Sequence, residues 1–197
     1  MSNDDQRLIS ECLEGKTEAF GELVRRYQDR LFNTVFRLVG NAEDAQDVVQ
    51  DAFLSAYQSL HNFKGDSLFF TWIYRIAINT AISLKRKQKS TLSIDSSGEK
   101  GGSIDPLDSS EFSQPEHAMQ VAEEEIRIQK ALDRLSPEHR TVLVMKDIEG
   151  YKYETMAEIL QVPIGTIRSR LHRARLELRD IFRTEQEDSR WENNAPN

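Results

Sequence analysis

The feature that most restricts how this chain can fold is the segment 153–175, in which two short helical patterns are separated by Gln161-Val162-Pro163. The first pattern is amphipathic, and the second carries arginines on its polar side. Two short helices, a three- or four-residue turn and a basic second helix are typical of a helix-turn-helix that enters the major groove of DNA. A solvated basic helix is the alternative, but the proline-marked turn and the arginine spacing favour DNA binding.

The second helix of this segment has an apolar side and a polar side. Ile164, Ile167 and Leu171 recur at spacings of three and four, so we expect them to hold the helix against its neighbours. Arginine can reach guanine edges through two hydrogen bonds, and serine or histidine can reach bases or phosphates. The predicted DNA-contacting residues are Arg168, Ser169, Arg170, His172 and Arg173.

Charge is distributed unevenly along the chain. The net charge of −7 at pH 7 is unusual for a DNA-binding protein. However, residues 90–118 contain six acidic residues and one lysine, whereas residues 164–183 contain six arginines and two acidic residues. Because phosphate binding depends on local charge, the overall sign does not exclude DNA binding.

The composition also bears on the cellular compartment. Cys12 is the only cysteine, so no disulfide can form within the chain, which suits a reducing compartment. Its spacing with Leu8, Ile9 and Leu13 predicts a core position rather than a redox role. The first residues do not resemble a signal peptide, and no apolar run reaches membrane-spanning length. We therefore expect a soluble, cytoplasmic protein that does not itself insert into a membrane.

Every strong hydrophobic periodicity is helical, which predicts an all-α fold. Residues 1–89 contain four predicted helices and form the first domain. Residues 90–115, rich in Ser, Gly, Asp and Pro, are predicted to be a flexible acidic linker. Residues 116–183 form a smaller domain that ends in the helix-turn-helix, and residues 184–197 form a polar, acidic tail.

Helix boundaries are predicted from capping and stop residues. Gly40 and Gly150 should end helices. The fourth helix is predicted to end near Lys87, and the last near Phe182. Four polar residues that can cap helix N-termini are Thr17, Asn41, Ser67 and Ser136.

The third predicted helix has an acidic face opposite its apolar stripe, which comprises Ala45, Val48, Val49, Ala52, Phe53, Ala56, Tyr57 and Leu60. Asp44, Asp47 and Asp51 share one side, with Gln50 beside them. The acids could form a solvated face near the positive helix end, a docking surface for a basic protein, or a metal site. A helical carboxylate metal site uses Glu-x-x-His pairs, and no histidine here follows a glutamate at that spacing. We therefore predict neither a metal nor a cofactor, and disfavour a metalloenzyme.

The segment 63–74 is rich in aromatic residues, namely Phe63, Phe69, Phe70, Trp72 and Tyr74. One side of a helix cannot bury all five. Arg75, Asn79 and the basic run 85–87 follow. Aromatic stacking combined with cationic side chains is typical of single-stranded nucleic acid binding, and an ordinary aromatic core is the alternative.

Together these segments resemble the extracytoplasmic-function (group 4) sigma factors, members of the sigma-70 family of bacterial RNA polymerase subunits. The resemblance covers nearly all of residues 5–183 and is greatest to the stress-responsive sigma-E subgroup. It is carried by DAQDVVQDAF at 44–53, FKGDS at 63–67 with TWIYRIAIN at 71–79, and the segment 150–175, which includes PIGTIRSR at 163–170.

The resemblance implies roles for these surfaces in the first domain. The acidic helix would dock on the coiled coil of the polymerase β′ clamp through Asp44, Asp47, Gln50 and Asp51. The aromatic segment would bind the −10 promoter element, holding a flipped base in the 63–67 loop, and Asn79 would read the adjacent duplex. The −10 residues implied are Phe63, Lys64, Asp66, Ser67, Trp72, Arg75 and Asn79.

The resemblance also implies partners for the rest of the chain. The helix-turn-helix would bind the −35 element, and the second domain would contact the β flap. The linker would thread toward the active-site and RNA-exit channels of the polymerase. An anti-sigma factor is the expected inhibitory partner. The implied protein is a promoter-specificity subunit and not an enzyme; the alternative is a stand-alone helix-turn-helix regulator that binds duplex DNA.

Two residues depart from the family pattern. Lys152 stands where a capping serine is usual, which removes about 1 kcal/mol of helix stabilisation. Gln161 stands where the turn usually has glycine. If that position requires a positive φ, glutamine makes the turn less favourable.

Overall fold

The computed structural model describes residues 3–94 and 115–193. Within these ranges all regular secondary structure is helical, which confirms the all-α class. Residues 95–114, the greater part of the predicted linker, lie outside the described residues, as do the last four residues of the predicted tail.

The described chain forms two groups of helices. In the first half, a short 3₁₀ turn at Leu60–Asn62 follows the third helix. In the second half, a π-helical turn at Val144–Ile148 extends the sixth. The α-helices are α1 (Asn3–Leu13), α2 (Thr17–Val39), α3 (Ala42–Gln58), α4 (Phe69–Ile94), α5 (Pro115–Arg134), α6 (Pro137–Leu143), α7 (Tyr153–Leu160) and α8 (Ile164–Asn193).

Two of the four predicted helix caps are confirmed. The Asn41 side chain accepts a hydrogen bond from the backbone N–H of Asp44 at 3.0 Å, and Ser136 Oγ accepts from that of His139 at 3.3 Å. The predictions for two other caps are wrong. Thr17 is already the first residue of α2, and α4 begins only at Phe69, two residues beyond Ser67.

Two helices are longer than predicted. α4 continues past Lys87 to Ile94, and α8 continues past Phe182 into the predicted tail. Neither extension has strong apolar periodicity. In α8 the added residues include Glu, Gln and Arg, which have high helix propensity and can prolong a helix without burial. In α8, Glu185 also forms ion pairs with Arg127 and Arg134 of α5, at 3.7 and 3.5 Å.

The hydrophobic stripes of the two halves meet in one continuous core. Leu23, Leu31 and Val35 of α2 are fully buried, and α4 packs against both α6 and α7. Tyr57, predicted to point inward, is instead 42% exposed, although its ring still contacts that of Phe20 with the centroids 5.0 Å apart. Cys12 is partly buried at the margin of this core, and burial raises its pKa.

Candidate nucleic-acid and partner interfaces

The acidic face of α3 is positioned by the burial of the opposite stripe. Ala45, Val48 and Ala52 are at most 3% exposed and Val49 is buried with them, so the other residues of this stretch point outward. The outward side chains are those of Asp47, Gln50 and Asp51, all exposed. This side of the helix therefore presents concentrated negative charge to solvent.

Asp44 differs from the other residues predicted for the acidic face. It is half-buried, and its Oδ2 accepts a hydrogen bond from Gln88 Nε2 of α4 at 3.0 Å. The structure thus brings three of the four predicted docking residues to the surface and joins the fourth to another helix.

The aromatic segment is divided between the core and the surface. Phe69, Phe70 and Tyr74 are buried. Phe63 and Trp72 are half-buried and in contact, with their ring centroids 5.1 Å apart. Both sequence interpretations therefore describe part of this segment, since three rings are core and two form a partly open aromatic pair.

Polar residues precede and follow this aromatic pair along the chain. Lys64 and Asp66 are exposed on a loop that turns at Gly65, whose φ is 77°. Arg75 is half-buried and Asn79 is exposed; together with Trp72 they follow the i, i+3, i+7 spacing that places residues on one side of a helix. Ser67 is half-buried. This surface therefore combines aromatic rings with a cation and an amide. Aromatic stacking and positive charge are what proteins use to bind unpaired nucleotides.

The turn between α7 and α8 requires a positive φ at Gln161, the position where glycine is usual. Gln161 has φ 53° and ψ 43°, a left-handed conformation that is uncommon without glycine. Its Nε2 donates to the carbonyl of Glu158 at 2.7 Å, which offsets part of the cost. Lys152, at the start of α7, makes no side-chain cap, in agreement with the expected loss.

The recognition face of α8 is exposed. Ile167 and Leu171 are buried and Ile164 is half-buried, so the opposite side of the helix faces outward. Four of the five predicted DNA-contacting residues are exposed, namely Arg168, Ser169, His172 and Arg173. The Ser169 hydroxyl donates to the carbonyl of Thr166 at 3.0 Å.

Arg170 and Arg175 of α8 lie near acidic residues of other elements. Arg170 is half-buried and close to Glu138; burial opposes the shift, but Arg86 and then Arg170 lower the pKa of that carboxyl. Arg175 forms a two-pronged ion pair with Asp147, with N–O distances of 3.0 and 2.5 Å. Sequence reasoning missed this pair, because nothing in the local pattern links residues 28 positions apart.

Within residues 3–94 and 115–193, no three His, Cys, Asp or Glu side chains are grouped so that they could hold a metal ion. No helix in these ranges combines the length and apolar character needed to cross a membrane.

Two family models match the chain. Sigma-70 region 2 matches residues 23–91, which include α3 and the aromatic segment. Sigma-70, region 4 matches residues 125–178, which include the helix-turn-helix.

Similar proteins of known identity match most of the chain. The RNA polymerase sigma-H factor of Pseudomonas aeruginosa is 39% identical over 173 residues, covering 87% of this chain and 90% of the relative. The ECF RNA polymerase sigma-E factor of Escherichia coli (strain K12) is 36% identical over 178 residues, with the same coverage.

Two solved structures are also similar. One is CnrH in complex with the cytosolic domain of CnrY, with a TM-score of 0.65 and 25% identity, covering 92% of this chain and 99% of that chain. The other is the sigma factor RpoE in complex with the anti-sigma factor NepR from Bartonella quintana, with a TM-score of 0.63 and 25% identity, covering 83% and 96%.

Proposed function

The chain belongs to the extracytoplasmic-function sigma factors of bacterial RNA polymerase, and we propose that three of its surfaces perform the separate steps of initiation. As a sigma factor it binds core polymerase, directs it to promoters through −10 and −35 elements and assists strand opening. One observation supports assigning these steps to separate surfaces: the chain exposes both an acidic helix face and a basic recognition helix.

The first surface is the acidic face of α3, which docks on the β′ clamp coiled coil. Asp47, Gln50 and Asp51 are exposed and supply the charge and amide groups for a basic partner. Asp44 contributes after exchanging its hydrogen bond with Gln88 for one to the polymerase.

The second surface is the aromatic pair with its loop, which binds the −10 element. Phe63 and Trp72 are partly open to solvent and can stack on an unpaired base, while Lys64 supplies positive charge near the strand. Flipping a base costs a few kcal/mol of lost stacking and pairing. Two rings that are already packed against each other offset part of that cost. Asp66, Ser67, Arg75 and Asn79 complete the contact.

The third surface is the exposed face of α8, which reads the −35 element. Arg168 and Arg173 are placed to form two-pronged contacts with guanine, and Ser169 and His172 to reach bases or phosphates. Arg170 contributes mainly through its charge, because it is half-buried near Glu138.

The chain acts in the cytoplasm as a non-enzymatic specificity subunit. Its second half also contacts the β flap. An anti-sigma factor restrains it. This is supported by the similar sigma factor RpoE, whose structure was solved with the anti-sigma factor NepR, and by the similar protein CnrH, whose structure was solved with the cytosolic domain of CnrY.

Transcription in vitro tests this function directly. Purified core polymerase and fragmented genomic DNA are incubated with and without the chain, and the new transcripts are mapped. We expect discrete start sites that share two upstream motifs. If no new start sites appear and the chain alone binds duplex DNA tightly, it is instead a stand-alone regulator.

A further inference from the structure

Arg168, on the recognition face of α8, is held by an aromatic ring rather than by an acid. Its guanidinium carbon lies 5.7 Å from the centroid of the Tyr153 ring. Its side chain forms no ion pair, hydrogen bond or other ring contact with any residue in 3–94 and 115–193. Tyr153 is the first residue of α7, so this contact joins the two helices of the helix-turn-helix. At such a distance the face of the ring attracts a cation.

The Tyr153 ring is itself fixed by its surroundings. The side chain is half-buried and packs against the hydrophobic core. Lys146 Nζ lies 5.0 Å from the ring centroid and also donates a hydrogen bond to the carbonyl of Tyr151 at 3.0 Å. Lys146 is therefore anchored to the backbone just before α7. The ring that it contacts offers Arg168 a surface of defined position.

Arg175 shows the other way in which this protein holds an arginine of α8. It lies seven residues after Arg168, which places the two on the same side of the helix. Its Nε and Nη2 donate to the two carboxylate oxygens of Asp147, so two of its N–H groups are already used. A guanidinium has five N–H groups, which lie in its plane. In Arg168 no protein oxygen of the described chain accepts from any of them.

This difference matters for base recognition. A guanine edge is bound through two N–H groups of one arginine, which must be free of other acceptors. Ordering a long side chain at an interface also costs free energy, and a side chain that is already ordered loses less on binding. Contact with a ring meets both requirements, because it restricts the guanidinium and leaves its N–H groups available.

We propose that Tyr153 is a positioning residue that increases the specificity of −35 recognition by holding Arg168 against its ring with every N–H group free. The effect on DNA rests on the proposed function of α8, but the contact itself is a property of the free chain. The ring is the part of Tyr153 that acts. Within the described ranges its hydroxyl forms no hydrogen bond, so phenylalanine should replace tyrosine here.

The contact is tested first in the free, full-length chain by ¹⁵N relaxation of the arginine Nε groups. We expect a higher order parameter for Arg168 than for Arg173, which is also exposed and has no ring partner in the described part of the chain. This comparison needs no substitution. Tyr153→Leu keeps an apolar side chain but removes the ring, and should lower Arg168 to the level of Arg173.

Tyr153→Phe is the matched variant for this measurement. It retains the ring, so the order parameter of Arg168 should remain that of the parent. Two results would overturn the proposal: an Arg168 as mobile as Arg173 in the parent, or an Arg168 that Tyr153→Leu leaves unchanged.

Specificity is then measured with holoenzyme as the ratio of its affinities for an intact promoter and for one with a scrambled −35 element. Tyr153→Leu should lower this ratio by about two- to fivefold, as expected for the loss of a cation–π contact at an exposed site. Tyr153→Phe should restore the ratio of the parent. A residue that only stabilised the fold would weaken binding to both promoters alike, and an unchanged ratio in Tyr153→Leu would therefore contradict the proposal.

A double-mutant cycle shows whether Tyr153 acts through Arg168. Once Arg168 is replaced in Arg168→Ala, adding Tyr153→Leu should change the ratio no further, because the group that the ring positions is absent. Independent, additive losses would mean that Tyr153 contacts DNA itself, which would also overturn the positioning role. If the parent holoenzyme does not distinguish the two promoters, the proposed function of α8 fails, whereas the relaxation measurement still decides whether Tyr153 holds Arg168.

Discussion

Helices α3 and α8 are built on one plan but use their charges differently. Each buries an apolar stripe and turns a charged side outward, acidic in α3 and basic in α8. In α3 the outer acids Asp47 and Asp51 are exposed, and only Asp44 is bound to another helix. In α8 the arginines are divided, since Arg173 is exposed while Arg175 is paired with Asp147.

This difference shows that a charged residue in a binding motif need not face the ligand. Helical spacing predicts the side of the helix on which a residue lies. Whether another helix places an acidic residue beside it depends on tertiary packing. Arginines of one basic run can therefore have a recognition role or a structural role, and the following experiments separate the two.

The largest effect should come from reversing the α3 acids. Asp47→Lys with Asp51→Lys places positive charge where a basic partner docks, and should weaken core binding by more than about 100-fold through the lost attraction and the added repulsion. Binding is measured by titrating labelled factor with core polymerase. Glu22→Lys with Asp29→Lys, both exposed on α2, is the control of equal charge change. Equal affinity for the α3 variant and this control would refute the docking assignment.

The next largest effect should distinguish the role of Arg173 from that of Arg175. Arg173→Ala should cost about 1–3 kcal/mol of −35 recognition for the loss of a two-pronged base contact. Arg175→Ala should leave recognition unchanged and lower the unfolding free energy by at most about 1 kcal/mol, because its pair with Asp147 is half exposed. Holoenzyme binding is compared on intact and −35-scrambled promoters. If Arg173→Ala loses affinity equally on both DNAs, this arginine contacts phosphate instead.

A smaller effect is expected at the turn that sets the angle of α8. Gln161→Gly removes the cost of a left-handed glutamine but also its hydrogen bond to the Glu158 carbonyl. The net result should be a gain of about 0.5–1 kcal/mol in unfolding free energy. Urea denaturation measures it, with Gln58→Gly at the exposed end of α3 as the control that should not stabilise. A destabilised Gln161→Gly variant would show that the side-chain bond outweighs the backbone cost.

The smallest effect is the pH dependence that arises from Glu138, which interacts electrostatically with Arg170. Burial acts to raise the pKa of this carboxyl, but Arg86 and Arg170 lower it below the usual 4.5. A lowered folded pKa means that the contact stabilises the folded protein in full above pH 4.5, and that this stabilisation is lost as the pH falls through the lower folded pKa. The unfolding free energy, measured by urea denaturation, should therefore decrease on acidification by less in Glu138→Gln than in the parent. Identical pH profiles would show that other carboxylates govern the change.

Much of the local structure follows from the sequence. The caps at Asn41 and Ser136, the glycine stops at Gly40 and Gly150, and the positive φ required of the turn between α7 and α8 all correspond to the observed helices. These features depend on contacts within about four residues, and such contacts are encoded in the order of the side chains. The two wrong caps have the same origin, because a polar residue near a helix start does not by itself fix the first turn.

The sequence predicted which side of each helix faces outward, but not how exposed each residue on that side is. The stripe of α3 and the buried residues of α8 identified the outward sides correctly. The half-burial of Asp44 and Arg170 depends on Gln88 and Glu138, which come from other helices. The split of the aromatic segment into three core rings and a half-open pair likewise depends on which elements cover α4.

The sequence by itself determined the helical class, the charged faces and the turn chemistry of this protein, because each depends on spacings of three or four residues. The family follows from whole motifs in their order along the chain, at 44–53, 63–79 and 150–175. The tertiary structure alone decided that the two halves close on each other, and that Arg140 reaches a carbonyl 102 positions earlier in the chain. The physical reason is that a helix end exposes carbonyls whose partners can come from anywhere in the chain. Only packing selects among them.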